Sequence, residues 1–183
     1  MRKMDQNRLA WLPILVTVWM ISFAPGTAAW ERVASAGQVA MDFEGKRIDG
    51  GTFRLSELRG QWVLLDFWAS YCGPCYKEFP NLKALNELIP DVEVVGVAAD
   101  YDRRMVERVV ASYGLDWRQV HDDDASVRDL FQVNAFPSSI LVAPDGTIAA
   151  KDLKGEYIVS QFEEAMLAWE DEKAAGNDSI SGQ

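Results

Sequence analysis

The sequence predicts an α/β domain in which a mixed central sheet carries helices on both faces. Three features predict it. Strand patterns alternate with helical patterns along the chain, as in sheets that are covered by helices. Two strands, Trp62–Trp68 and Val92–Ala98, are almost wholly apolar, which is typical of central strands buried on both faces. A β-hairpin around Pro144-Asp145-Gly146 and an amphipathic helix then close the pattern.

The first predicted elements precede the strand Trp62–Trp68. Residues 41–43 predict a short strand, and residues 44–46, Glu-Gly-Lys, predict a turn. The alternation of Phe53 and Leu55 predicts a second strand. Residues 55–60 then predict one helical turn that ends at a glycine.

A helix is predicted to follow the strand Trp62–Trp68 and the two cysteines. Its apolar face consists of Cys75, Phe79, Leu82, Leu85 and either Leu88 or Ile89. Pro90 ends the pattern, and Pro80 within it predicts a kink, because proline lacks the N–H that the helix needs.

The second half of the domain continues the alternation. The predicted elements are a helix at Arg103–Tyr113 ended by Gly114, a strand at 115–120, a short helix at 125–131, hairpin strands at Ser138–Val142 and 147–151, and a last helix from Ile158 to Trp169. The domain therefore spans residues 39–170. We expect a linker at 30–38 before it and a disordered polar tail at 171–183 after it.

The charge distribution argues against nucleic acid as a partner. The chain has a formal charge of -10, of which the first 29 residues contribute +2 and the remainder therefore -12. Such an acidic surface repels phosphate backbones.

The N-terminus predicts export from the cytoplasm. A basic stretch at residues 2–8 precedes an apolar run at 9–24, and small residues follow at 27–29, in the order of a secretory signal. If the apolar stretch is counted on to Trp30, residues 9–30 are long enough for an uncleaved membrane anchor. Both interpretations place the domain outside the cytoplasm.

The two cysteines, Cys72 and Cys75, call for a chemical explanation. A disulfide between residues three apart closes too short a loop to stabilise the fold much. A metal site is not expected, because the pair and the only histidine, His121, do not make four ligands. We expect His121 in a surface loop. Residues 122–124, three aspartates, predict a solvated turn in which Asp124 caps the next helix.

The spacing of the cysteines predicts thiol-disulfide exchange. Cys72 lies where a helix begins, so the unpaired N–H groups and the helix dipole favour its thiolate. We expect Cys72 to attack a substrate disulfide. Cys75 lies one turn further on the apolar face, and we expect it to resolve the mixed disulfide.

A buried carboxylate is expected to take the proton of Cys75, since burial raises the pKa of an acid. Asp66 lies within an apolar strand, six residues before Cys72. Glu78 lies one helical turn after Cys75. Position alone leaves both open.

Phe136-Pro137 precedes the strand Ser138–Val142. Bonds before proline are the ones with ready access to the cis form, and a cis bond here would present the Phe136 backbone to a substrate peptide. The alternative is a proline that only begins a strand.

These motifs resemble the thioredoxin superfamily, and within it the extracytoplasmic bacterial branch typified by TlpA and ResA. The matching segments are residues 66–75 (DFWASYCGPC), 78–80 (EFP), 55–60 (LSELRG), 136–142 (FPSSILV), 144–146 (PDG) and 154–156 (KGE). The resemblance covers about residues 39–170. It implies the thioredoxin fold, attack by the first cysteine, resolution by the second and a cis proline.

The resemblance also implies a substrate surface formed by Tyr71, Gly73, Pro74, Phe136 and Pro137. Asp66 matches the acid of thioredoxin itself, and Glu78 matches the acid of the ResA type. The redox group is the Cys72–Cys75 disulfide, so no cofactor or metal is expected. The departures are Tyr71, where tryptophan is usual, and Ser138-Ser139, where threonines are common.

The Gly-Pro between the cysteines matches thioredoxin, the reducing end of a scale of potentials from about -270 to about -120 mV. This favours a protein-disulfide reductase over an oxidase or isomerase. A reductase in the periplasm, or elsewhere outside the bacterial cytoplasm, needs a thiol electron donor in the membrane. The resemblance implies exported cysteine-containing proteins as substrates, apo-cytochrome c among them, and we expect a monomer.

Two further readings are weaker. A peroxidase of the related peroxiredoxin type needs a proline ahead of its cysteine, and none lies between Gln61 and Cys72. A non-catalytic binding module of the same fold often loses one cysteine, whereas this chain keeps both.

Overall fold

The computed structural model describes residues 36–180, with side chains described to residue 176. The predicted targeting segment at 1–29, its possible anchor at 9–30 and most of the linker lie outside these residues. Within the described part, no helix is both long and apolar enough to cross a membrane.

The helices and strands follow the predicted alternation. In chain order they are β1 (Glu44–Arg47), β2 (Thr52–Arg54), a 3-10 turn (Leu55–Leu58), β3 (Trp62–Trp68), α1 (Cys75–Leu88), β4 (Val92–Ala98), α2 (Arg103–Tyr113), β5 (Arg118–His121), α3 (Ser126–Leu130), β6 (Ser138–Val142), β7 (Ile148–Lys151) and α4 (Ile158–Ile180).

Seven strands form one mixed sheet in the order β2-β1-β5-β4-β3-β6-β7. The strand β3 lies near its centre, parallel to β4 and antiparallel to β6. All seven residues of β3 are buried, as its apolar sequence predicts. The loop that carries the cysteines therefore follows a fully buried strand that is paired on both sides.

The core has one half on each face of the sheet. On one face, α1, α2 and α4 pack through Phe79, Val106 and Phe162. On the other face, α3 and the 3-10 turn pack through Val127 and Leu55. The predicted arrangement of helices on both faces is confirmed.

The first strand differs from the prediction. Strand β1 occupies residues 44–47, where a turn was expected, and pairs with both β2 and β5. Gly45 is needed there for a close approach, since a Cβ at this position would lie 2.3 Å from Cγ1 of Val120. The glycine therefore serves packing within a strand, which its turn-forming tendency conceals.

The sequence predicted that His121 lies in a surface loop, and this prediction is wrong. It is buried at the end of β5, and its Nε2 lies 2.6 Å from the backbone oxygen of Asp100. Asp122 is buried as well, and its carboxylate accepts hydrogen bonds from the backbone N–H groups of Val127 and Arg128, both at 2.9 Å. Its role is to cap α3, so the aspartates are not simply a solvated turn.

The last helix is longer than predicted. Helix α4 continues to Ile180, through residues expected to form a disordered tail. Residues 170–175 are glutamate, aspartate, lysine and alanine, mostly good helix formers. Lys173 adds an ion pair with Asp145 at 2.7 Å, which ties this extension to the hairpin turn.

Candidate active site

The two cysteines lie between β3 and α1. The backbone N–H of Cys72 donates to the oxygen of Ala69 at 3.0 Å, which turns the chain out of the sheet. Cys75 is the first residue of α1, so Cys72 lies just before the helix rather than in its first turn. The two are joined as a disulfide, with 5.4 Å between their Cα atoms.

Cys72 lies at the N-terminus of α1, where the sequence predicted an environment favourable to a thiolate. The backbone N–H of Cys75 donates to Sγ of Cys72 at 3.2 Å. An N–H group directed at this sulfur stabilises negative charge on it when the disulfide opens. The geometry can therefore activate Cys72 as a nucleophile.

Exposure distinguishes the two sulfurs. Cys72 is 8% exposed and Cys75 only 1%, so the more accessible cysteine is the first one. Tyr71, Gly73 and Pro74 around it are exposed. A substrate can therefore reach the disulfide from the side of Cys72, which fits attack by Cys72 and resolution by Cys75.

Asp66 is buried in the middle of the sheet. It is 4% exposed, and in the strand register it lies between Gly96 of β4 and Ser139 of β6. Among the described residues, no donor hydrogen-bonds its carboxyl group. Burial, and then the negative charge of Glu78, raise its pKa from 3.8 to about 7. Asp66 can therefore exchange a proton near neutral pH.

Glu78 is half-buried on the inner side of α1. Its Oε2 accepts a hydrogen bond from the backbone N–H of Gly155 at 2.7 Å and another from Nδ2 of Asn81 at 3.1 Å. Gly155 belongs to the connection between β7 and α4. The glutamate therefore ties the cysteine-bearing helix to that connection.

One narrow cavity brings together three residues that the sequence singled out. Its volume is about 10 Å³, close to the smallest space that holds one water molecule. The residues that line it are Asp66, Glu78, Leu82, Pro137, Ser138, Ser139, Asp152, Leu153, Lys154 and Ile158. The cavity therefore places the two carboxyl groups and Pro137 around a space of about one water molecule.

The peptide bond between Phe136 and Pro137 is cis, as expected. Strand β6 pairs Ser138 with Phe67 of β3, so continuing this register places Pro137 opposite Trp68, close to where the cysteine loop begins. Phe136 packs against both halves of the core, one of which contains both cysteines. The cis bond thus lies on the same side of the molecule as the disulfide.

Sequence reasoning missed a set of polar contacts behind Cys72. Asp100 accepts hydrogen bonds from the backbone N–H of Ser70 at 2.8 Å and from its hydroxyl at 2.5 Å. The hydroxyl of Tyr76 donates to the backbone oxygen of Ser70. A signal was available, since Asp100 directly follows an apolar strand at the same edge of the sheet as Cys72. It was overlooked because nothing in the sequence links it to Ser70.

Among residues 36–176, no group of three or more histidine, cysteine, aspartate or glutamate side chains is arranged to hold an ion.

Comparison with known proteins identifies close relatives. The model of the AhpC/TSA family matches residues 36–151. Thiol-disulfide oxidoreductase ResA of Halalkalibacterium halodurans is 31% identical over 167 residues, which cover 89% of this chain and 95% of the relative. ResA of Bacillus subtilis is 32% identical over 134 residues, or 72% of each chain.

Solved structures agree with these relatives. The thioredoxin domain of a thiol-disulfide oxidoreductase from Bacteroides vulgatus superposes with a TM-score of 0.67 at 30% identity, over 71% of this chain and 96% of that domain. A secreted disulfide oxidoreductase of Mycobacterium tuberculosis, described as homologous to DsbE of E. coli, gives a TM-score of 0.55 at 27% identity, over 58% of this chain and 79% of that one.

Proposed function

Because this chain belongs to the AhpC/TSA family and is a thiol-disulfide oxidoreductase with the thioredoxin fold, like its ResA relatives, we propose that it works as a reductase of disulfides in exported proteins. The observation that carries the proposal is the Cys72–Cys75 disulfide at the start of α1, with Cys72 the more exposed partner. The role of each residue below is part of the proposal.

The reaction transfers two electrons from the cysteine pair to a substrate disulfide. In the reduced protein, the thiolate of Cys72 attacks one substrate sulfur, so a mixed disulfide forms and the other substrate sulfur leaves as a thiolate. Cys75, as its thiolate, then attacks Sγ of Cys72. This step forms the Cys72–Cys75 disulfide and releases the second substrate sulfur as a thiolate.

Asp66 takes the proton from Cys75 in this second step. Its pKa of about 7 keeps a useful fraction ionised at neutral pH, and proton transfer from a thiol is then only moderately uphill. Glu78 acts beside it: its negative charge helps to raise the pKa of Asp66, and its bond to Gly155 holds the cavity wall.

The substrate lies across Cys72. Tyr71, Gly73 and Pro74 form the exposed rim on one side, and the Phe136–Pro137 segment lies on the other. The backbone of Phe136 pairs with an extended peptide there, which orients the target disulfide for attack.

The setting is extracytoplasmic and bacterial, most simply the periplasm. Residues 1–29 act as a signal, or residues 9–30 as an anchor, and one similar structure is described as that of a secreted protein. A thiol donor in the membrane returns electrons to the disulfide. The substrates are exported proteins with cysteines, apo-cytochrome c among them, and the protein acts as a monomer without a further cofactor.

The reduction potential of the cysteine pair tests the direction of electron flow. The protein would be equilibrated with defined dithiol buffers, and its redox state read by thiol alkylation. We expect a reduction potential of about -270 mV, that of thioredoxin. A value near about -120 mV would make the protein an oxidant. The absence of any reversible redox change would leave only the non-catalytic binding module.

A further inference from the structure

Two highly exposed tyrosines lie at the edge of the sheet where Cys72 is found. Tyr71 is 70% exposed and Tyr101 is 92% exposed. Tyr71 belongs to the loop after β3, and Tyr101 to the loop after β4. Because β3 and β4 are parallel neighbours, both loops leave the sheet at the same edge, about 5 Å apart.

Hydrogen bonds keep these two loops together beyond the end of the sheet. The backbone N–H of Ala99 donates to the oxygen of Trp68 at 2.9 Å, which extends the strand pairing by one step. The carboxylate of Asp100 then accepts both the N–H and the hydroxyl of Ser70. Tyr71 and Tyr101 are the next residues on the two loops. They therefore lie on neighbouring loops, and Tyr71 directly precedes Cys72.

Contacts with the protein interior also hold the backbone around Asp100 in place. Asp100 is buried, and its backbone oxygen lies 2.6 Å from Nε2 of the buried His121. On the other loop, the hydroxyl of Tyr76 donates to the backbone oxygen of Ser70. Both loops are thus held in place from the protein interior, while the rings of Tyr71 and Tyr101 project into solvent.

Single exposed aromatic residues are common and need no explanation. Two exposed tyrosines near a reactive sulfur call for an explanation, because their exposed rings add little to the stability of the fold. Tyrosine supplies a large contact area at a low cost in side-chain entropy and is enriched among residues that dominate binding energy. These rings are placed where a substrate of Cys72 has to pass.

We propose that Tyr101 extends the substrate surface to which Tyr71 already belongs, so that these two residues, named here the tyrosine pair, dock the polypeptide segment that carries the target disulfide. The proposal rests on the proposed function and adds the kind of substrate. Cys72 is only 8% exposed, which favours an extended segment over a flat, folded surface as its partner. The fitting partner is an extended or unfolded segment with apolar side chains beside its cysteine. Its side chains cover the two rings while its sulfur reaches Cys72.

The test compares a polypeptide disulfide with a small one. Reduced protein is mixed with an excess of either insulin or hydroxyethyl disulfide, and the loss of its free thiols is followed by quenched alkylation. Insulin offers side chains to the tyrosine pair, whereas hydroxyethyl disulfide offers none. The readout is the ratio of the two second-order rate constants, insulin over hydroxyethyl disulfide.

We expect Tyr101→Ser to lower this ratio about tenfold, the effect of losing one substantial aromatic contact. Tyr101→Phe should keep most of the wild-type ratio, because the ring remains. Leu88→Ser is the matched control, since Leu88 is also an exposed large apolar residue but lies at the far end of α1, about 20 Å from Cys75. It should leave the ratio unchanged.

The outcomes separate this inference from the proposed function. A wild-type ratio in Tyr101→Ser overturns the docking role but leaves the reductase intact. Equal slowing of both substrates also overturns it, because the substitution would then act on Cys72 and not on the polypeptide. If the wild-type protein reacts with hydroxyethyl disulfide but not with insulin, the proposed reduction of polypeptides fails. Urea unfolding of each variant checks that all are folded.

Discussion

Substitution of Asp66 by asparagine should make the folded protein more stable at neutral and alkaline pH, although it removes the proton acceptor of the proposed mechanism. Asp66 is buried, and no donor among the described residues hydrogen-bonds its carboxyl group. Its charge therefore lacks compensation once the proton has left. Asparagine has nearly the same shape and never ionises, so the change isolates the cost of this charge.

The magnitude follows from the pKa. Asp66 loses its proton near pH 3.8 in the unfolded chain and near pH 7 in the folded protein. Each pKa unit is worth about 1.4 kcal/mol, so the difference amounts to about 4 kcal/mol. Because the raised pKa belongs to the folded state, its stabilising contribution is complete below pH 3.8. It is lost as the pH rises towards 7.

Urea unfolding of the oxidised wild-type and Asp66→Asn proteins between pH 4 and pH 8 measures this. The other carboxyl groups are common to both proteins, so their contributions largely cancel in the difference. The free energy of unfolding of the wild type should fall relative to the variant by about 4 kcal/mol across this range. A difference that stays constant within about 1 kcal/mol would refute the raised pKa of Asp66.

Glu78→Gln serves as the control for the smaller cause of the shift. It removes the neighbouring negative charge but leaves Asp66 buried, so the pKa of Asp66 should move down while staying above 3.8. The pH range in which the wild type loses stability should then move to lower values. If Glu78→Gln abolishes the pH dependence altogether, burial is not the main cause.

Three further experiments test the remaining residue assignments. Cys75→Ser should trap mixed disulfides with substrates, whereas Cys72→Ser should form none; the reverse pattern in non-reducing gels would exchange their roles. Asp100→Ala should lower the free energy of unfolding by about 3 kcal/mol in urea, because it leaves the partly buried N–H and hydroxyl of Ser70 without their acceptor, while Asp100→Asn should lose less than half of that. Release of reduced substrate should slow more in Asp66→Asn than in Glu78→Gln in single-turnover assays, and the opposite order would move the proton-accepting role to Glu78.

The central strands could be predicted from the sequence because their environment is uniform. Trp62–Trp68 and Val92–Ala98 are buried on both faces, so nearly every residue carries the apolar signal and the limits are sharp. The cysteines and Asp66 stand out as unusual residues for their places in the pattern, whereas Glu78 and Pro137 were singled out by their positions together with the family resemblance. The structure then brings Asp66, Glu78 and Pro137 to one cavity.

The failures share a physical cause, which is that single residues were assigned by their usual preference. Gly45 indicated a turn, but its role is to let β1 approach Val120. His121 and Asp122 indicated a solvated loop because they are polar. Both are buried: His121 makes a hydrogen bond to the backbone of the distant Asp100, whereas Asp122 caps the helix α3 that follows it. The contacts of Gly45 and His121 depend on which strands become neighbours, and local sequence does not contain that information.

The sequence could not rank Asp66 and Glu78, because one lies in the strand before the cysteines and the other one helical turn after Cys75. Their contacts support different tasks for them in the proposed mechanism. A proton acceptor has to change its charge at moderate cost, and Asp66, with a pKa of about 7 and no donor holding its carboxylate, does so. Glu78 is held by Gly155 and Asn81 and contributes its charge to the pKa of Asp66. A chain with only Asp66 would keep a weaker base, since the pKa of the aspartate would be lower. In the proposed mechanism, the second acid therefore raises the pKa of the proton acceptor towards neutral pH.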